Sequence, residues 1–294
     1  MRRLLIVGCG DVALRAIPLL KESYRVYALV RDPAKRARLH ALGVSPLLGD
    51  LDDRSSLAHV AGLADAVLHL APPPENGMRD TRTRNLLSVL AKGRGRRTRL
   101  PKRLVYISTS GVYGNCDGAW VSETRPLNST SARSQRRADA EKQIRSWAKR
   151  NRVNASILRV PGIYAADRLP LGRLQQGTPG IIDSEDSYTN HIHADDLARI
   201  SVAALRRGKA CRVYHASDDS DLKMGEYFDR VADALGLPRV PRVSRAEAQH
   251  LLSALMLSFM NESRRMTNQR MKRELGVKLR YPTVGDMLAG IGPS

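Results

Sequence analysis

Long hydrophobic runs are absent from this chain of 294 residues. Although 42% of it is hydrophobic, no stretch approaches the roughly 18 consecutive apolar residues of a membrane-spanning helix. Met1-Arg2-Arg3 leads straight into an apolar strand rather than into a cleavable signal, so a cytoplasmic protein with no membrane partner is expected. Cysteine is scarce. Cys9, Cys116 and Cys211 are odd in number and scattered, which excludes a disulfide framework and offers no metal-ligand spacing, so no metal is expected. Rings that could stack on bases are few, with two Phe and two Trp. Acid is also short: 29 Asp and Glu face 49 Lys and Arg, a net charge of +20, and a polyanion has to be weighed as a partner. The excess gathers at Lys92, Arg94, Arg96, Arg97, Arg99, Lys102 and Arg103, and again at Arg133, Arg136, Arg137 and Arg145. Without aromatic interleaving these clusters read as a basic loop and solvated helix faces, with nucleic-acid binding at most weak and nonspecific.

What the chain has is a run of apolar strand patterns alternating with helical ones. Leu4-Leu5-Ile6-Val7 runs into Gly8-x-Gly10-x-x-Ala13 and a helix ending near Leu20. Gly8 permits a tight turn off the strand, Gly10 lets backbone approach a pyrophosphate, and small Ala13 lets helix and strand pack closely. Further strands are expected at Arg25–Val30, Ser45–Leu48, Ala66–Leu70, Arg103–Ser108 and Ala155–Leu158. Between them helical spacing covers Asp11–Lys21, Pro33–Leu42, Asp80–Lys92 and Ser131–Arg150, the last with Ser131 as N-cap. This alternation predicts an α/β class protein, a doubly wound parallel sheet of the Rossmann type with a smaller C-terminal lobe. The boundaries expected are a nucleotide-binding domain at 1–165, to which 190–217 return, and a lobe at 166–294. Helices are expected in that lobe at Met224–Leu235 and Ala246–Phe259.

The nucleotide crevice of such a sheet lies outside the carboxyl ends of its strands. Asp11 and Val12 open the helix whose free N–H groups meet the phosphates. Arg31 lies at the end of the second strand, where NAD-selective folds place an acid for the ribose, and suits a 2′-phosphate instead. Asp32 is the alternative ribose ligand, or it caps the next helix. Asp50 and Leu51 follow the third strand, where a carboxylate can accept from the adenine amino group, and Leu70, Ala71 and Pro72 end the fourth. NADP is favoured, with NAD as the alternative.

With Gly8-x-Gly10-x-x-Ala13, Gly49-Asp50-Leu51, His69-Leu70-Ala71 and Tyr106-Ile107-Ser108-Thr109-Ser110-Gly111-Val112-Tyr113-Gly114 in place, the chain resembles extended short-chain dehydrogenases/reductases of the NAD-dependent epimerase/dehydratase family. The resemblance implies an NAD(P)-binding oxidoreductase. It puts Thr109 at the catalytic hydroxyl that also faces the cofactor, and Pro161 in a segment near the nicotinamide. It also requires a Tyr and a Lys four residues apart on one helix, the Lys lowering the Tyr pKa for proton exchange. Arg133 and Arg137 stand at those two positions, and an arginine cannot donate a proton at neutral pH. Together with Arg264-Arg265-Met266-Thr267-Asn268 and Glu274-Leu275-Gly276, this resembles the atypical, YeeZ-like subgroup. Tyr113 and Tyr164 are candidate replacement phenols, although their motifs fit packing better. Arg133, Arg137 and Arg173 are candidate ligands for an anionic small substrate. Three functions stay open: an oxidoreductase, a non-catalytic NADP(H) redox sensor, and a nucleic-acid-binding derivative of the fold. As an assembly, a monomer or a homodimer is expected.

Overall fold

The computed structural model describes residues 1–92 and 100–291. Arg94, Arg96, Arg97 and Arg99 of the basic loop, and the last three residues of the expected lobe, lie outside the described residues. Seven strands form one parallel sheet: β1 (Arg2–Val7), β2 (Tyr24–Val30), β3 (Ser45–Leu48), β4 (Ala66–His69), β5 (Arg103–Thr109), β6 (Asn154–Val160) and β7 (Arg212–His215). Their order is β7-β6-β5-β4-β1-β2-β3, every neighbouring pair parallel. The winding direction reverses at β1, with β2 on one side and β4 on the other. The crevice at that reversal opens beyond Val7 and His69, which are register partners.

Both faces of the sheet are covered, which is why its strands read as nearly continuous apolar runs. Leu4, Ile6, Leu68 and Val105 face a core shared with α1 (Asp11–Lys21), through Ala13, Ala16, Ile17 and Leu20. The same core includes Leu197, Ala198 and Ile200 of a helix at Ala194–Arg207. Leu5, Val7, Val67 and Tyr106 face the opposite core with α3 (Thr81–Leu90) and α4 (Ala132–Asn151), the latter through Ala140, Ile144 and Trp147. Between β2 and β3 runs α2 (Lys35–Ala41), and the helix Ala194–Arg207 is α5 in this order. Ser131 caps α4, its hydroxyl accepting from Ser134 N at 3.2 Å. Among the described residues no helix is long and apolar enough to cross a membrane.

The edge strand β7 comes from the segment that returns after the first two thirds of the chain. A separate cluster around Tyr164, Leu174, Tyr227, Phe228, Val231, Val284 and Met287 packs α6 (Met224–Ala234). The single helix expected over Ala246–Phe259 is two, α7 (Arg245–Leu251) and α8 (Ala254–Met260). Leu252 adopts an extended backbone, and Ser253 starts a new helix by accepting from Met256 N. A good N-cap in mid-pattern thus overrides helical spacing. Farther on, α9 (Gln269–Leu275) lies in the same core as α1 and α5 through Met271 and Leu275.

One buried ion pair ties these layers. Arg159 on β6 donates Nε and Nη2 to the two carboxylate oxygens of Glu141 on α4, at 3.0 and 2.7 Å. Its Nη1 donates to the Tyr113 hydroxyl at 2.6 Å, which in turn meets His215 Nε2 on β7 at 2.6 Å. His215 Nδ1 lies 2.8 Å from the Thr267 carbonyl, so Nδ1 carries the proton and Nε2 accepts from the phenol. Glu141→Ala leaves that guanidinium buried without its carboxylate and is expected to cost about 3 to 5 kcal/mol. Urea denaturation of the purified variant checks this, and a loss below about 1 kcal/mol would show that the pair behaves like an exposed one.

Candidate functional site

The strand-to-helix turn after β1 is set by sterics. Gly8 has φ +91°, and a Cβ there would lie 2.5 Å from the backbone N of Ala71 on the neighbouring β4 segment. Only glycine fits between the two strand ends. Gly10 is the N-cap of α1 and makes no side-chain cap, and a Cβ added to it would meet nothing within 4 Å. The backbone at the head of an eleven-residue helix therefore faces open space.

That space is a cleft of about 470 Å³ lined by Gly8, Cys9, Gly10, Arg31, Asp32, Lys35, Asp50, Leu51, Leu70, Ala71 and Pro72. Eight residues singled out in the sequence thus meet in one place: Gly8, Gly10, Arg31, Asp50, Leu51, Leu70, Ala71 and Pro72. Asp11 and Val12 do not line it. The Asp11 carboxylate instead accepts from Arg15 and Arg168 at 2.9 and 3.0 Å, and Val12 packs against the α1 core. Asp32 accepts from Ala34 N at 2.9 Å, a turn leading into α2. One oxygen of Asp50 accepts from Asp52 N. Lys35, missed in the sequence, opens α2 four residues after Arg31 and lines the same cleft. Burial raises the pKa of the Cys9 thiol, opposed by the charges of Lys35 and Arg38; the cleft is lined by Arg31, Lys35 and Arg82 against Asp32 and Asp50.

A second cleft, of about 570 Å³, begins where the first ends, and Pro72 lines both. Arg82 on α3 holds the partition by donating to the Pro72 and Pro73 carbonyls and to Asp52 at 2.6 Å. Thr109, Pro161, Arg133 and Arg137 line this second cavity. The Thr109 hydroxyl accepts from Gly111 N at 3.2 Å, capping the short turn that follows β5. Arg137 donates Nη1 to the Ile107 carbonyl at 2.7 Å and the Tyr106 hydroxyl at 3.0 Å, so much of its guanidinium is committed to β5. Arg133 stacks over Phe259 at 3.9 Å.

Three sequence candidates stand elsewhere. Tyr113 and Tyr164 are each about 1% exposed and line neither cleft. Burial pushes Tyr113 up to about 12 and raises Tyr164, which also faces the Asp218 carboxylate. Neither phenol is poised to ionise. Arg173 lies over Phe228 at 4.4 Å and donates to the Pro179 carbonyl, which directs it into the C-terminal cluster rather than the cavity. Arg136, Arg264, Glu262, Tyr188 and Phe259 do line the second cleft; the sequence offered Arg136 only in a basic cluster and Arg264 only in a family-like run, and none of the five as a ligand. Arg136 donates to the Gly77 carbonyl at 2.7 Å, and Arg264 to Glu262 at 2.9 Å and the Gly114 carbonyl at 2.8 Å.

Known proteins share this framework. A conserved protein of unknown function from Silicibacter pomeroyi is 28% identical, with a TM-score of 0.78 over 99% of this chain and 98% of its own. A dTDP-glucose 4,6-dehydratase from Streptomyces venezuelae, solved with NAD bound, is 23% identical, with a TM-score of 0.77 over 98% and 95%. The 4-hydroxy-2-methyl-3-oxo-4-farnesyl-3,4-dihydroquinoline-1-oxide ketoreductase of Stigmatella aurantiaca is 24% identical over 90% of this chain and 83% of its own. The model of the NAD dependent epimerase/dehydratase family matches residues 15–216. With a Rossmann-type sheet, a glycine turn at its switch point and a match over more than half its length, the chain belongs to the NAD-dependent epimerase/dehydratase family.

Proposed function

We propose that this protein is an NADP(H)-binding oxidoreductase of the atypical, YeeZ-like kind, acting on a small anionic substrate. The observation that carries the reading is the junction of the two clefts at Pro72. One cleft has the glycine cradle for a pyrophosphate, and the next has the Thr109 hydroxyl with a cationic wall. When bound, the dinucleotide would supply the hydride chemistry. Gly8, Gly10 and the head of α1 hold its phosphates, Asp50 its adenine, and Thr109 the substrate oxygen. The solved relative from Streptomyces venezuelae holds NAD. The preference for NADP proposed for this chain rests on Arg31 and Lys35 lining the same cleft while one oxygen of Asp32 accepts from Ala34 N. A 2′-phosphate meets two cations there, while one oxygen of Asp32 is already held by the Ala34 N–H.

Arg133 and Arg137 take the Tyr and Lys positions of the usual family pair in this reading, so proton exchange by a phenolate on α4 is absent. The commitment of Arg137 to Tyr106 and Ile107 favours a second reading, a redox sensor that binds NADP(H) without turnover. Steady-state assays separate the two. NADPH oxidation in the presence of a panel of ketones and 2-oxo acids supports the enzyme, with a rate that falls at least about tenfold in Thr109→Ala. Tight NADPH binding with no turnover of any of them supports the sensor.

Fluorescence titration is expected to show NADPH bound more tightly than NADH, and Arg31→Glu is expected to remove the preference, a change of about ten- to hundredfold. Equal affinities in the parent would return the ribose contact to Asp32. Gly10→Val is expected to keep a native circular dichroism spectrum, because its side chain enters empty space, and to lose dinucleotide binding by filling the phosphate's place. Unaltered affinity in that variant would show that the turn is purely structural.

A further inference from the structure

We propose that the second cleft is a receptor for an organic acid, with Arg133, Arg136 and Arg264 seating a carboxylate or phosphate and Phe259 and Met224 covering its apolar body. This deepens the substrate half of the function proposed above. Arg133 and Arg136 come from the first turns of α4 and Arg264 from the segment before α9, and all three line one cavity with Phe259 and Met224. Arg136 and Arg264 are only 8% and 7% exposed, and among the described residues the Nε–H of each, itself closed off from solvent, has no acceptor. Among the described residues Arg133 has no hydrogen-bond acceptor at all and rests on the Phe259 ring. Buried donors without acceptors are costly, and convergent guanidiniums more so.

The charges do not cancel within the protein. Four guanidiniums, of Arg133, Arg136, Arg137 and Arg264, line the cleft against two carboxylates, of Glu75 and Glu262. Glu262 is paired with Arg264 at 2.9 Å, and Glu75 is exposed. Arg137 is held by β5, which leaves Arg133 and Arg136 without a carboxylate among the described residues. Burial lowers the pKa of Arg133, Glu262 opposes that, and the charges of Arg264 and Arg136 lower it further, so both of those cations lie close enough to act on Arg133. An oxyanion among them replaces that repulsion with charge-assisted hydrogen bonds, which a neutral carbonyl cannot match. Phe259, Met224, Tyr188 and the proline wall at 72–74 give the rest of the ligand an apolar bed.

Benzoate, phenyl phosphate and neutral benzamide serve as probes, titrated calorimetrically at fixed ionic strength into the full chain with and without NADPH. Benzoate or phenyl phosphate is expected to bind at least about tenfold more tightly than benzamide, and the tighter of the two identifies the preferred anion. Arg133→Met keeps the contact with Phe259 and is expected to lose tenfold or more, as is Arg136→Met. Arg84→Met, which removes the same charge from the exposed face of α3, is expected to bind like the parent. If Arg136→Met fails to fold, Arg133→Met alone decides. Benzamide binding as well as benzoate, no anion binding up to about 20 mM, or an equal loss in Arg84→Met overturns the proposal. Anion binding in a protein that takes up no NADPH would sink the cofactor reading and leave the receptor standing.

Discussion

The Arg159–Glu141 ion pair is the contact on which the geometry of the second cleft depends. A guanidinium with its side chain only 4% exposed is tolerated only where its donors are used, and Arg159 uses them on Glu141 and on the Tyr113 hydroxyl. Through these bonds β6 sets the axial position of α4, the turn after β5 and, by way of His215, the edge strand β7 and the Thr267 segment. Three of the four arginines of the second cleft, Arg133, Arg136 and Arg137, stand on the first turns of that same α4. A shift of the helix along the sheet would break the ion pair and move Arg133 and Arg136 together. Such a buried pair adds little net stability compared with apolar packing, but it permits one arrangement and penalises its neighbours.

A second constraint is the contact of Gly8 with Ala71. Backbone touches backbone there, so the ends of β1 and β4 are drawn together at the point where the sheet reverses its winding. One cleft forms on the β2 side of that point. On the other side the loop from Pro72 onward, held by Arg82, divides it from the cavity under α4. The position of Thr109 at the end of β5 then follows from the register, in which His69 pairs with Tyr106 and Thr109 with Val160. This is the general behaviour of open parallel sheets, whose ligands gather at the carboxyl ends beside the switch point.

The charge of +20 is distributed by purpose rather than evenly. Arg15 joins Asp11, Asp167 and Asp195, and Arg168 joins Asp11, so the heads of α1 and α5 and the turn at Ala166–Arg168 are laced together by acids the composition has in short supply. Asp196, fully buried, accepts from the backbone N–H of Arg280 and Tyr281 and anchors the C-terminal segment. With so many acids engaged in structural bonds, several arginines are left without a carboxylate. Among those of the second cleft Arg136 is nearly buried, and an unbalanced charge acts most strongly on a ligand where water is excluded.

Local chemistry made the strands, the glycine turn, the Ser131 cap and most of the first cleft legible from sequence. Apolar runs, a glycine held at positive φ and strand ends in order each depend on neighbours a few positions away. The same locality misled at Ala246–Phe259, where helical spacing was read across Ser253 although that serine starts a helix of its own. The second cleft was only partly legible. Thr109, Arg133 and Arg137 were found because they sit in one motif and on one helix face, whereas Arg264, Glu262 and Phe259 reach the same cavity from more than a hundred positions later. Which arginine is free to meet a ligand is likewise invisible in sequence. Arg133, Arg136 and Arg137 are near-identical neighbours on α4, and only the packing of that helix gives Arg137 the Ile107 carbonyl and the Tyr106 hydroxyl while Arg133, with no hydrogen-bond acceptor among the described residues, rests on an aromatic face. Sequence determined the turn, the sheet and the first cleft because these rest on local backbone geometry; tertiary structure decided the wall of the second cleft, because hydrogen-bond partners are assigned by contacts between segments that sequence order does not bring together.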